Sequence, residues 1–197
     1  MNKLILIGGA SGAGKTSLAG GIKELNPDQV SVVHVDDFQV LDPTIVREED
    51  GYYNWETPVG RDFDLLYKSL KQLLAGQEVG SIPVATRSQH LELPPAEKID
   101  KYMRIKPARY IVCEGHVALC DEAVCSLADL KVFCALPLSG QLKRRDVYSD
   151  EVYIERYLGK GYEQNIKPTI KRADLVLDGE QDFQSNLVAL KERIDML

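Results

Sequence analysis

The sequence predicts an α/β domain built on a parallel sheet covered on both faces, and three features of the chain point there. Five short apolar, β-branched runs punctuate it at residues 4–7, 30–35, 110–113, 132–136 and 175–177, with little strict alternation. Strands buried on both faces read this way, because neither face can be left polar. Helical stripes lie between the runs. The clearest spans 62 to about 75, with Phe63, Leu66, Leu70, Leu73 and Leu74 on one side and Gly76 as the stop. The last spans about 182 to the end, with Phe183, Leu187, Leu190 and Ile194 at helical spacing. Strand and helix signals alternate along the chain, which is the third feature.

Size and composition agree. At 197 residues and 22.0 kDa the chain predicts one domain, residues 1–197, with room for a small mobile insertion. Its residues are 44% hydrophobic, 27% charged and 7% aromatic, near the globular average, which excludes disorder, collagen and coiled coil. Such a chain buries roughly 70% of its unfolded surface without staples. Basic residues number 24 and acidic ones 30, a net charge of −6, so no broad basic face is available for nucleic acid or an anionic membrane. A local basic cluster can still hold a phosphorylated small molecule.

No apolar run reaches the ~18 residues that span a bilayer. Residues 4–7 follow a single Lys3 and lack the length and cleavage site of a secretion signal, so they read as a first strand. The cysteines Cys113, Cys120, Cys125 and Cys134 form no C-x-x-C pair, and Cys113 and Cys134 lie inside apolar runs. They read as buried free thiols in a reducing, cytoplasmic setting. A zinc site from Cys113, His116, Cys120 and Cys125 matches no common spacing.

Two stretches break the rhythm. Residues 41–60 hold Pro43, Gly51, Pro58 and Gly60 with Tyr52, Tyr53 and Trp55 among acids, and residues 77–108 hold Pro83, Pro94, Pro95 and Pro107. Both are expected to be irregular insertions that wall a substrate pocket, the plain alternative being a pair of solvated loops.

Gly9-Ala10-Ser11-Gly12-Ala13-Gly14-Lys15-Thr16 satisfies G-x-x-x-x-G-K-[ST], directly after the first strand and before a helical segment. Glycines there let the backbone turn its N–H groups onto a phosphate, and the new helix adds its positive end. Lys15 supplies a mobile cation for the β- and γ-phosphates, and Thr16 a hydroxyl for Mg²⁺. A nucleoside triphosphate is the expected ligand.

The chain shows no N-K-x-D base-reading motif of a guanine switch and none of the length of a motor. It shows instead His34-Val35-Asp36-Asp37-Phe38 at the end of the second run. Ligands of α/β sheets gather beyond the carboxyl ends of the strands. A carboxylate there can accept the proton of an attacking hydroxyl. Asp36 is the first candidate and Asp37 the second, with a capping role as the alternative for each. Glu114 holds the matching place after residues 110–113, where it can reach Mg²⁺, pair with Lys15, or do both. Lys143-Arg144-Arg145-Asp146 and Arg156 offer arginines to a segment that closes over phosphates, the alternative being an exposed basic helix face.

Together with Val112-Cys113-Glu114-Gly115-His116 and Pro168-Thr169-Ile170-Lys171-Arg172-Ala173-Asp174, these segments resemble the uridine kinase and phosphoribulokinase family, which includes the nicotinamide riboside kinases. The likeness runs from Leu4 to about Gly179. It implies a five-stranded parallel sheet of order 2-3-1-4-5 and a lid over ATP at approximately 144–160. It implies Lys15, Asp36, Arg144 and Arg145 as catalytic residues, with Asp36 the base, and Thr16 and Glu114 as the holders of Mg²⁺. ATP would lie on Gly9, Ser11, Gly12, Ala13, Gly14, Lys15, Thr16 and Ser17, with Asp178 near the adenine. The acceptor would meet Asp36, Asp37, Phe38, Tyr53, Trp55, Arg87, His90 and Arg156. Where uridine kinases carry a Tyr-Asp pair this chain has Val84-Ala85, which widens the expected acceptor from a pyrimidine nucleoside to a ribosyl compound.

The expected activity is ATP- and Mg²⁺-dependent transfer of the γ-phosphate to a primary hydroxyl of a small metabolite. Two rivals stand beside it: a non-nucleoside acceptor such as a sugar phosphate or short alcohol, and an ATP-binding regulatory module without transfer chemistry. The oligomeric state is not legible.

Overall fold

A computed structural model of the chain describes residues 2–40, 42–83, 102–145 and 151–197. Leu4, Ile5, Leu6 and Ile7 are wholly buried because strand β1 (Lys3–Gly9) has a strand on either side and packed layers on both faces. Its neighbours are β5 (Tyr110–Glu114) and β6 (Leu130–Ala135), and the sheet is completed by β2 (Val30–His34) and β7 (Leu175–Asp178) at the edges. All four pairings are parallel, in the order β2-β5-β1-β6-β7. Numbering these main strands alone gives 2-3-1-4-5, the expected topology. Each apolar run is a strand, with ends displaced by no more than two residues.

Helix α1 (Lys15–Leu25) leaves the end of β1 and packs against the C-terminal helix Phe183–Asp195, where Leu187 and Phe183 lie close to Gly21. Helix α2 (Phe63–Leu74) is the predicted stripe: Leu66, Leu70 and Leu73 are wholly buried, and the Asp62 side chain caps it by accepting from Leu65 N–H. Gly76, at φ 77°, ends it. Phe38 and Phe133 are among the largest fully buried side chains of the core. The four cysteines are free, and Cys113 and Cys134 are buried as their apolar surroundings imply.

Residues 77–108 correct one expectation. Strands β3 (Val79–Pro83) and β4 (Tyr102–Ile105) pair antiparallel as a separate ribbon where irregular chain was expected. Gly80 and Pro83 mask the strand pattern, and the register slips between Val79 and Ile82. Residues 42–60 form short turns. One of them, Pro43–Val46, is capped by Asp42, and Pro58–Gly60 is capped by Thr57.

Residues 151–172 form a helical stretch with wide turns at Ile154–Leu158 and Tyr162–Ile166. It buries Leu158, Tyr162 and Ile166, four residues apart, on one side. Of the expected lid, 146–150 lie outside the described residues. Among the described residues no helix is long and apolar enough to cross a membrane.

Candidate active site

The register of the sheet assembles the site. Ile7 of β1 and His34 of β2 are both partnered with Glu114 of β5, so β2 and β5 end on one rung and β1 two residues beyond it. The segments leaving these strands therefore meet at the same edge, the carboxyl end where α/β sheets bind ligands. A cleft of about 330 Å³ lies there. Ser11, Gly12, Gly14, Lys15, Thr16 and Ser17 of the loop after β1 line it, together with Asp36, Glu114, Gly115, His116 and Arg144.

The loop after β1 is held open by its own backbone. Gly9 has φ 120°, and a Cβ there would stand 2.3 Å from the carbonyl oxygen of Cys134, a clash no side-chain rotation relieves. Ala10 N–H donates to that same carbonyl at 2.9 Å. Gly14, at φ 83°, opens α1, whose first turn carries no acid, so its amide dipoles face the cleft uncompensated. Lys15 Nζ donates to Ala10 O at 2.6 Å. Arg144 clips the loop from outside, donating to Gly12 O at 2.8 Å and to Gly179 O at 2.7 Å.

Glu114 accepts from Thr16 Oγ1 at 3.1 Å and shares a 2.7 Å hydrogen bond with His34 Nδ1. Burial pushes its carboxyl up, but the His34 hydrogen bond, the charges of Lys15 and His34, and the Thr16 hydroxyl outweigh it and hold the group below its usual range. A hydroxyl and an ionised carboxylate this close are hard oxygen donors of the kind Mg²⁺ takes. Among the described residues no cluster of three His, Cys, Asp or Glu could hold a metal unaided.

Asp36 and Asp37 sit in the single turn Val35–Phe38 that follows β2. Asp36 lines the cleft, whereas Asp37 is not among its lining residues; burial raises Asp37's pKa, Glu114 adding to this and His34 opposing it. Asp36 Oδ1 accepts from Arg61 Nη2 at 2.6 Å. His116 Nε2 is 2.9 Å from Trp55 O, and since a carbonyl can only accept, Nε2 carries the proton. Burial pulls His116 down to about 4, Arg61 and Lys15 acting the same way and Glu56 against, so the ring is neutral at pH 7. Its unprotonated Nδ1 lies 3.9 Å from Asp36 Oδ1.

The other expected residues scatter. Phe38 is 1% exposed and packs in the core. Tyr53 and Trp55 stack on each other, with centroids 6.2 Å apart, and the Arg61 guanidinium lies 5.6 Å from the Trp55 ring centre. Arg156 pairs with Asp50 at 2.7 Å, where Tyr157 joins it, and not with the cleft. Asp178 ends β7 beside Gly179, which packs on Ala13. Arg145 is the last residue of the helix Leu138–Arg145. Arg87 and His90 lie outside the described residues. Sequence reasoning missed Glu56 and Arg61 and gave His116 no role, yet all three are buried beside Asp36 or Trp55. In the chain they read as ordinary polar loop residues.

Comparison with known proteins agrees with the geometry. Residues 4–184 match the phosphoribulokinase / uridine kinase family. A uridine kinase of Streptococcus agalactiae is 30% identical over 202 residues, covering 95% of this chain and 91% of that protein. A uridine kinase of Saccharomyces cerevisiae is 31% identical over 192 residues, covering 91% of this chain and 37% of the longer relative. Among solved structures, a possible uridine kinase from Bacillus stearothermophilus superposes with a TM-score of 0.58 at 23% identity, over 90% of this chain and 89% of that one. A shikimate kinase from Acinetobacter baumannii gives 0.52 at 16% identity, over 98% and 91%; both likenesses show the fold. With the loop, the strand-end acids and the sheet order in agreement, this chain belongs to the phosphoribulokinase / uridine kinase family of P-loop kinases.

Proposed function

We propose that the protein transfers the γ-phosphate of ATP to a primary hydroxyl of a nucleoside or related ribosyl compound. The convergence of Lys15, Thr16, Glu114 and Asp36 on one cleft carries the proposal. Phosphoryl transfer asks little covalent chemistry of a protein; it asks for in-line positioning and for cations along the transferring oxygens. The amides after Gly9 and the start of α1 bind the phosphates, and Lys15 exchanges its bond to Ala10 O for the β- and γ-oxygens. Thr16 and Glu114 are the residues that would hold Mg²⁺, which supplies charge neutralisation between the phosphates. Asp36 orients the acceptor hydroxyl and receives its proton as the bond to phosphorus forms. Arg144 fixes the loop on which the phosphates rest.

The deciding experiment incubates labelled ATP with a panel of ribosides, sugars and short alcohols. Label is expected on a riboside. Asp36→Asn should keep ATP affinity within about threefold and lose at least about 100-fold in turnover. Equal turnover removes Asp36 from the base role. Transfer only to non-ribosyl alcohols overturns the acceptor class, and transfer to nothing on the panel overturns the activity.

A further inference from the structure

Arg61 is one of the most deeply buried charges described, its side chain only 1% exposed, and its ion pair is with the candidate base. Nη2 donates to Asp36 Oδ1 at 2.6 Å, Nη1 to Gly60 O at 3.3 Å, and the guanidinium lies against Trp55. Nε is buried without a hydrogen-bond partner. Burial draws the group down to about 10, with the charges of Glu56 and Tyr153 opposing, so it remains a cation at neutral pH. A buried ion pair whose guanidinium carries an orphaned N–H is a weak stabiliser, because the desolvation of both charges offsets most of their attraction.

The local fold does not need this side chain. Residues 60–62 are tied to residues 38–40 through the backbone: Val40 N–H donates to Gly60 O at 3.2 Å and Asp62 N–H to Phe38 O at 2.7 Å, with Gln39 opposite Arg61. Arg61 N–H closes its own turn on Pro58 O at 3.0 Å. These bonds fix the Arg61 backbone relative to the turn that carries Asp36. His116 stands near the same carboxylate oxygen, but its Nδ1 is a lone pair there and donates nothing.

We propose that Arg61 is a positioning residue, a buried guanidinium that sets the plane of the Asp36 carboxylate for the acceptor hydroxyl. The inference rests on the kinase activity proposed above. A cation on Asp36 weakens it as a base. In a loose transition state the alcohol proton leaves late, so alignment is worth more than basicity. Arg61 exchanges proton affinity for alignment, and it does so from behind Asp36, without itself lining the cleft.

The test is a double-mutant cycle on the full chain, with turnover and melting temperature measured for the unchanged protein, Arg61→Met, Asp36→Asn and the pair. Arg61→Met strips Asp36 of its ion partner, so it should stay folded but melt a few degrees lower, and it should lose about 100-fold in kcat, with KM for ATP within twofold. Added to Asp36→Asn it should change kcat by less than about twofold, because the group it acts through is gone. A kcat loss that multiplies fully in the Asp36→Asn background overturns the proposal, as does a kcat within twofold in Arg61→Met. A loss matched by an equal fall in folded fraction also overturns it. If Arg61→Met does not fold, Arg61→Lys, which keeps the charge but not the planar fork, carries the same cycle and is judged by the same outcomes. Absence of transfer by the unchanged protein overturns the kinase activity and this inference with it; transfer with an indifferent Arg61 overturns the inference alone.

Discussion

Gly9→Ala is the sharpest probe of the nucleotide loop. The residue has φ 120°, and the added methyl would sit 2.3 Å from Cys134 O, 2.7 Å from Cys134 N and 2.9 Å from Cys134 C. These are backbone atoms of β6, which pairs with Gly9 in register. The dihedral strain costs about 1–3 kcal/mol. Relief of the clash must also move β6 away and stretch the 2.9 Å bond from Ala10 N–H to Cys134 O, adding about 1 kcal/mol. A total near 3 kcal/mol lowers the melting temperature of a chain of this length by about 6–12 °C. The same displacement turns the amides off the phosphate, and ATP affinity should fall at least about tenfold. Gly20→Ala is the control: it sits in α1 with nothing within 4 Å of the added methyl, and should stabilise by about 0.5–1 kcal/mol. Thermal denaturation and calorimetric titration with ATP measure both quantities. A Gly9→Ala protein that melts within 2 °C of the unchanged one (about the shift of less than 1 kcal/mol) and binds ATP equally would refute the reasoning.

Other substitutions separate the parts of the site. Lys15→Ala should weaken ATP binding and abolish turnover together, so an unaltered calorimetric titration would contradict its place on the phosphates. Arg144→Ala removes the bond to Gly12 O of the loop and the bond to Gly179 O after β7, and should lower the melting temperature by about 2–4 °C while weakening ATP severalfold. No change in either quantity would count against the clip. Burial raises Cys134 to about 11 and raises Cys125 as well, but Cys125 is only part-buried and is therefore open to reagent. Mass spectrometry after thiol labelling should find Cys125 modified first and Cys113 and Cys134 only after denaturant is added; equal rates at Cys125 and Cys134 would argue that β6 opens readily.

The parallel sheet was legible because residues 4–7 are apolar on both faces, a signal that needs no knowledge of partners. The nucleotide loop was legible because its chemistry is local, held in eight consecutive residues. Asp36 and Glu114 could be found because each follows an apolar run, and the sheet then sets the two ends on neighbouring strands. The β3–β4 ribbon was not, since Gly80 and Pro83 weaken one strand and residues 84–101 separate it from the other. Arg61 was invisible for a deeper reason. Between Gly60 and Asp62 an arginine reads as a solvated loop, and its burial against Trp55 and Asp36 is decided by chain that returns from elsewhere. Trp55 is the converse case: its ring meets Tyr53 and Arg61, contacts that spacing alone does not predict.

Ile7, His34 and Glu114 share one rung, and that alignment makes the protein brittle in one way and forgiving in another. Lengthening β5 by a single residue would swing the Glu114 side chain to the opposite face of the sheet and part it from Thr16, whatever the inserted residue's chemistry. The turn Pro43–Val46 shares no such rung and can change length more freely, whereas residues 55–60 are tied to the site through Trp55 O and Gly60 O.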